Sequence, residues 1–474
     1  MNLGISKNAN INYLAKVVNL TEGSFHPFPD DKHDRIKCCT INGFNLICDI
    51  KYTAGTYVYF PIMCKINPQF LSATNQFKNT SLNVDPEKSG MFEDSGRVKT
   101  IKLAGVRSEG YIIPIEILTN WIVSVTNKEV EFEEGQEFDC VKDGNKEFWI
   151  VKKYIIREES AKESHPHGKT KKAKYDRIIP SQFRFHYETV QIKKCPQVIK
   201  PDDWIHISTK VHGSSGISAR VLCRGVQPSS GSKVGNWIIK KIIDPIFGLK
   251  TDSLEEITDY EYIYSSRKVI RSPEFNDTVS PGYYNCNVWK YADDVIRPHL
   301  SKGMTVYYEI IGFTPQGEYI QKDAGGYDYG YIIPRHKEYN YNINFGIRVY
   351  RVTYTNVDGE VHEFSPREVQ IWAKNHNLVP VTELYYGKAK DLYPDLDVND
   401  LNWSENFIDK LSNDSERFYM EVDSPDCNNK VPNEGIVIKV DNCRSEAFKL
   451  KSFAFLDKEQ KSQDKGEINI EDIS

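Results

Sequence analysis

The chain has 474 residues, 39% hydrophobic and 27% charged, which excludes a disordered segment and requires packed cores in two or three domains. A formal net charge of −5 excludes overall basicity as a route to nucleic acid, so any such contact needs a local cationic face. Among the ten cysteines no C-x-x-C occurs, and no apolar run spans a bilayer. Zinc ribbons, disulfide scaffolds and membrane spans are therefore not expected. Met1-Asn2-Leu3-Gly4 carries no leader pattern, and the reading is a soluble, cytoplasmic protein without membrane contact.

Residues 11–156 read as short strands: Leu14 to Val18, Arg35 to Thr40, Asn45 to Cys48, Tyr57 to Phe60, Val98 to Leu103 and Tyr111 to Ile113, punctuated by Gly43, Gly55 and Gly105. Strands at that spacing point to a small Greek-key barrel of OB type, a fold that grips nucleic-acid strands on one face, with a purely structural β-domain as the alternative. Residues 157–177 hold almost no large apolar side chain and form a charged linker with a lysine run at 169–174. His165 and His167 there have no partners at metal-ligand spacing.

The second unit, 178–474, opens with Trp204-Ile205-His206-Ile207-Ser208, whose alternation predicts a strand running into the loop Thr209-Lys210-Val211-His212-Gly213-Ser214-Ser215-Gly216. Apolar residues at helical spacing over 237–247 predict a core-facing helix. Asp358-Gly359 predicts a hairpin turn, and Ser365-Pro366-Arg367-Glu368 a capped helix start.

A lysine at a strand-to-loop corner can act as a nucleophile once neighbouring cations or burial make its neutral form accessible. K-x-H-G alone is a weak motif, and an ordinary loop lysine is its plainer explanation. Four later stretches add weight. Arg267 follows the strand Tyr264-Ser265-Ser266, and Glu309 interrupts the apolar strand Val306 to Gly312. Glu434 opens Gly435-Ile436-Val437-Ile438-Lys439, while Lys449 and Lys451 share one side of a strand. Over a bound nucleotide, the two lysines would meet the α-phosphate and lower the pKa of Lys210. Glu434 would hold a divalent cation, Glu309 would accept from ribose hydroxyls, and Arg267 would reach sugar or phosphate. Singly, each is as readily a surface ion pair or a strand-end charge.

As an ordered set, Lys210-x-His212-Gly213, Ser265-Ser266-Arg267, Glu309, Glu434-Gly435-Ile436-Val437 and Lys449-x-Lys451 resemble the motifs of covalent nucleotidyltransferases, the ligase and capping-enzyme superfamily. Histidine at 212, where DNA ligases usually carry aspartate, resembles the nick-sealing RNA ligases. Val58 to Ile62, Gly96 to Leu103 and Cys427 to Pro432 are similar to the branch with an OB domain ahead of the catalytic domain. The implied fold is α+β: an OB-like barrel over 1–156, the linker, and an adenylation domain of twisted antiparallel sheets with flanking helices over 178–474.

The resemblance implies an ATP-dependent RNA ligase that joins 3′-hydroxyl to 5′-phosphate ends through lysyl-AMP and RNA-adenylate, in RNA repair. Lys210 would be the nucleophile. Thr209, His212, Gly213, Arg267, Glu309, Lys449 and Lys451 would surround the nucleotide, with Tyr350 or else Phe345 stacked on adenine. Glu434 and Glu309 would serve magnesium or manganese. The implied partner is a nicked RNA duplex or RNA/DNA hybrid, bound by a monomer, and the Asn-, Lys- and Ile-rich usage points to an AT-rich, phage or viral genome. The chain departs from the pattern at Thr209, where relatives carry a carboxylate, and at Ser215, where simpler phage enzymes carry asparagine. Only an acidic tail (Glu467, Glu471, Asp472) follows the last motif, which speaks against a DNA ligase or a capping guanylyltransferase. A catalytically inactive nucleic-acid-binding relative is the third alternative.

Overall fold

The computed structural model describes residues 1–29, 32–144, 146–156, 177–225, 258–276, 284–334, 339–442 and 446–466. The linker, but for Arg177, the helix expected over 237–247 and the acidic tail lie outside these residues.

In the first unit the strand Gly55–Pro61 is central, pairing with Ala15–Leu20 on one edge and Gly110–Pro114 on the other. Alternation sends Val58 and Phe60 into one core with Leu118, Trp121 and Ile122 of the helix Ile115–Thr126, and Tyr57 and Tyr59 into a second core. That second core is closed by Cys39, Leu46 and Cys48 from the hairpin Ile36–Ile41 and Phe44–Asp49. A sheet covered on both faces is a layered stack, and no closed barrel forms among the described residues. The helix Ile115–Thr126 was not anticipated.

Two five-stranded sheets build the second unit. Sheet I runs in the order Val190–Gln191, Ala447–Lys451, Gly435–Val440, Trp204–Thr209, Glu383–Lys388 and is antiparallel except at its first pair. Ile205, Ile207, Ile436 and Ile438 pack from it onto Trp403, Phe407 and Leu411 of the helix Trp403–Asn413. Sheet II, all antiparallel, runs Thr258–Ser266, Ser214–Arg224, Met304–Gly312, Phe345–Thr355, Val361–Glu363. Its core side meets the helices Val288–Ile296 and Pro366–Asn375. The expected capping box is formed: Ser365 N donates to Glu368 at 2.7 Å and Glu368 N to Ser365 Oγ at 3.3 Å. The turn at Gly359 (φ +84°) joins the last two strands of sheet II.

The chain leaves sheet I at Thr209 and enters sheet II at Ser214, so residues 210–213 bridge the two sheets. The helix Phe453–Asp464 follows the Ala447–Lys451 strand and reaches the first unit. Gln460 Oε1 accepts from Thr100 N at 2.7 Å, Arg97 donates to Gln463 at 2.9 Å, and Arg97 also pairs with Asp464. A second tie is the buried Lys193–Glu109 ion pair at 2.8 Å. No helix among the described residues is long and apolar enough to cross a membrane.

Candidate nucleotide site

The bridge between the sheets is pinned by backbone. Lys210 N donates to Gly435 O at 2.9 Å, and Tyr329 Oη both accepts from His212 N (2.9 Å) and donates to His212 O (3.1 Å). Two glycines make this approach possible. A Cβ on Gly213 would sit 2.3 Å from Ile310 O, and one on Gly435, whose φ is +132°, would sit 2.1 Å from Leu450 O.

Glu434 is the centre of the site. Its carboxylate is 4% exposed and lies 2.7 Å from Lys210 Nζ, 3.3 Å from His212 Nδ1 and 3.6 Å from Lys451 Nζ. Burial alone would raise its pKa, but the ammonium of Lys210, the His212 hydrogen bond and Lys451 outweigh that and hold it well below the ordinary carboxylate range. His212 is fixed in turn, its ring packed between Tyr327 at 4.4 Å and Phe455 at 5.3 Å. Lys451 also meets Glu459 at 3.3 Å.

Beside this cluster a cleft opens between the sheets. Thr209, Val437, Lys449 and Lys451 line it from sheet I and its edges, and Ser215, Glu309 and Tyr350 from sheet II. Arg267 enters it paired with Glu188 at 2.7 Å. Tyr350 shares a hydrogen bond with Ser215 Oγ at 3.1 Å, and burial raises its hydroxyl pKa. His212 and Gly213 line a smaller adjoining recess together with Lys210, Glu309 and Glu434. Every residue singled out in the sequence therefore reaches the cleft or this recess except Phe345. That ring is 1% exposed and stacked on Tyr339 at 4.9 Å, because its position on sheet II faces the helices.

Sequence reasoning missed several members of the site. Glu188 approaches Arg267 across 79 positions, a tertiary pairing with no local signature. Lys439 donates to Tyr350 O at 2.8 Å, and burial lowers its pKa to about 8. Asn12, Tyr13 and Lys153 bring the first unit to the cleft wall, with Lys153 over the Tyr13 ring at 5.4 Å. For Lys439, its place in the strand after Glu434 was the available signal.

No group of three His, Cys, Asp or Glu side chains among the described residues forms a self-contained metal cage. The donor set in the recess is instead three carboxylates, Glu434, Glu309 and Glu459, the last paired with Lys451. That suits a hard divalent cation that takes its remaining ligands from water and substrate phosphates.

No protein-family model matches this chain, and no curated protein matches it by sequence. Solved structures do. An RNA ligase of Naegleria gruberi, a point mutant with ATP and Mn, aligns with TM-score 0.51 at 14% identity over 95% of this chain and 99% of its own. A second mutant of that ligase, with AMP and Mn, aligns with TM-score 0.50 at 14% identity over 95% and 99%. A third, without ligand, gives 0.50 at 13% over 96% and 99%. The mixed α+β arrangement of antiparallel sheets with few helices is thus similar to the fold of an RNA ligase over nearly its whole length.

Proposed function

We propose that this chain is an ATP-dependent RNA ligase that works through lysyl-AMP and RNA-adenylate. The observation that supports it most is Lys210 Nζ at 2.7 Å from the buried Glu434, with Lys451 on the same carboxylate, at the mouth of a two-sheet cleft. In the first step the Lys210 nitrogen bonds to the α-phosphorus of ATP, and the bond from that phosphorus to the bridging oxygen of pyrophosphate breaks. Two protons leave the ammonium: one before attack and one from the phosphoramidate nitrogen as it forms. Lys449 and Lys451 stabilise charge on the α-phosphate, and Arg267 holds sugar or phosphate. Glu434 and Glu309 would hold magnesium or manganese, which neutralises phosphate charge when bound.

In the later steps AMP passes to a 5′-phosphate, and a 3′-hydroxyl displaces it. These steps are mainly positioning of two ends in line. We assign residues 1–156 to an OB-like nucleic-acid module, 157–177 to a linker and 178–474 to the catalytic domain. The first unit brings Asn12, Tyr13 and Lys153 to the cleft, which suits a module that holds RNA over the nucleotide. We take the substrate as nicked RNA duplex or RNA/DNA hybrid, the protein as a monomer, and its setting as cytoplasmic, in a phage- or virus-infected cell.

The test is incubation with α-labelled ATP and magnesium, denaturing electrophoresis, and then nick sealing. An acid-labile labelled band with ATP, absent in Lys210→Ala, followed by sealing of nicked RNA, is the expected result. A band with GTP instead would replace the reading with a capping guanylyltransferase. No band with either, after pyrophosphate stripping, would replace it with a non-catalytic binding protein.

A further inference from the structure

The helix Phe453–Asp464 starts just past Lys451, and a side chain late in it turns back onto the strand that precedes it. Glu459 is that side chain. It is 4% exposed, and Lys451 Nζ donates to both of its carboxylate oxygens, at 3.3 and 3.4 Å. One turn earlier on the same helix face, Phe455 lies under Lys451 Nζ at 4.7 Å and against the His212 ring at 5.3 Å. The helix is held along its length. Ser452 Oγ and the Glu421 carboxylate accept from its first N–H groups, and Gln460 and Gln463 on its neighbouring face bind Thr100 and Arg97 of the first unit. Glu459 is therefore presented to Lys451 from a fixed support.

A buried glutamate is costly unless a charge answers it, and Lys451 already has another carboxylate within reach. Glu434 lies 3.6 Å from Lys451 Nζ, but with the same oxygen it holds Lys210 Nζ at 2.7 Å. An ammonium on a flexible stem settles on the nearest anion. Without Glu459, Lys451 would be drawn onto that oxygen and would compete with Lys210 for it. Glu459 supplies a second anion, and the nearer one, so each lysine has a carboxylate of its own. Lys451 is thereby kept beside the nucleophile without taking its partner.

We infer that Glu459 is a positioning residue of the nucleotide site: it acts through Lys451, fixing that ammonium where charge develops on the α-phosphate while leaving Glu434 to Lys210. The inference rests on the lysyl-AMP reading above. A charge set in place for the transition state governs the rate of transfer more than the grip on bound nucleotide. A helix that merely held the fold together would affect both.

Two quantities are measured on the full chain: the single-turnover rate of labelled adduct formation at saturating ATP with magnesium, and the dissociation constant of ATP without divalent metal, where no transfer intervenes. In Glu459→Gln the rate should fall by about 10- to 100-fold, the cost of misplacing a charge by about an ångström, with ATP affinity within about twofold of wild type. Glu459→Asp keeps the charge but withdraws it by one methylene, and its rate should lie between the two; it serves alone if the glutamine variant does not fold. Lys451→Met should be slow by itself, and adding Glu459→Gln should slow it no further. An unchanged rate in both Glu459 variants overturns the assignment, as does a loss of affinity that matches the loss of rate. So does a further fall in the double variant, because Glu459 would then act on something other than Lys451. A wild type that forms no adduct overturns the ligase reading and this assignment with it, and the wild-type lane alone tells that outcome from the others.

Discussion

The two ends of the cleft are built on opposite principles. Around Glu434 charge meets charge, and Lys210, His212 and Lys451 converge on one carboxylate within 3.6 Å. At the other end His206 lies 3.3 Å from the Glu383 carboxylate, which also pairs with Arg367, and its ring nitrogens make no hydrogen bond among the described residues. The ionic end is held together by the protein itself and is therefore rigid before any ligand arrives. The difference teaches that one end is braced by ion pairs around a single carboxylate and the other is not, and mutations at each end should fail in different ways.

The sharpest way to break that separation is at Glu434. Glu434→Gln leaves Lys210 and Lys451 without their shared counter-charge, and we expect labelled adduct formation to fall by about 10²-fold or more. Gly213→Ala should act at the same end through geometry alone. Its methyl meets Ile310 O, so the adduct rate should drop with Glu434 chemistry intact, read by single-turnover labelling.

Arg267→Ala lies between the two ends. It removes the guanidinium from the cleft and leaves Glu188 with Lys268 at 3.6 Å, so on the proposed reading ATP binding should weaken by about tenfold.

Acid sensitivity should differ by end as well. The folded His206 pKa of about 3 lies below its ordinary 6.5, so between those values the unfolded chain binds the extra proton and stability rises with pH. His206→Leu should flatten that limb in thermal melts. Glu434, held below its ordinary 4.5, contributes stability above that value that is lost as pH falls toward its folded pKa, so Glu434→Gln should flatten only the more acidic part. The smallest effect is expected from Ser215→Ala, which removes one neutral hydrogen bond to Tyr350 and should cost about 1 kcal/mol of stability with little change in adduct formation.

How much of this was legible in the sequence depends on range. Strand alternation and turn chemistry gave the strand before Lys210, the Asp358-Gly359 turn and the Ser365 cap, all of which are local, whereas the stretch read as a loop up to Gly216 is already strand from Ser214. The helix Ile115–Thr126 was missed because its Ile- and Val-rich stretch favours strands by propensity. Only its placement of Leu118, Trp121 and Ile122 on one face, packed on Phe60 and Phe70, reveals a helix. The layered first unit was hidden for a related reason: alternation shows that Tyr57 to Phe60 is half-apolar on each face but not that both faces are covered. In the site, charged residues stood out against apolar strands. Glu188, by contrast, is an ordinary surface-type residue until the fold brings Arg267 to it. Tyr350 came first and Phe345 second as aromatics of one strand, and five positions apart they face opposite sides of it.

The helix Phe453–Asp464 also sets an order of events during synthesis. Arg97 is 3% exposed, and its carboxylate and amide partners lie 367 and 366 positions further along the chain. As the polypeptide is made in one direction, the first unit emerges with that guanidinium unmatched and waits for almost the entire remaining chain. The strand bearing Lys449 and Lys451 is completed just before the helix that secures it, so the cationic wall of the cleft and the joining of the two units come late and nearly together. A ribosome that stops short would release a chain with neither.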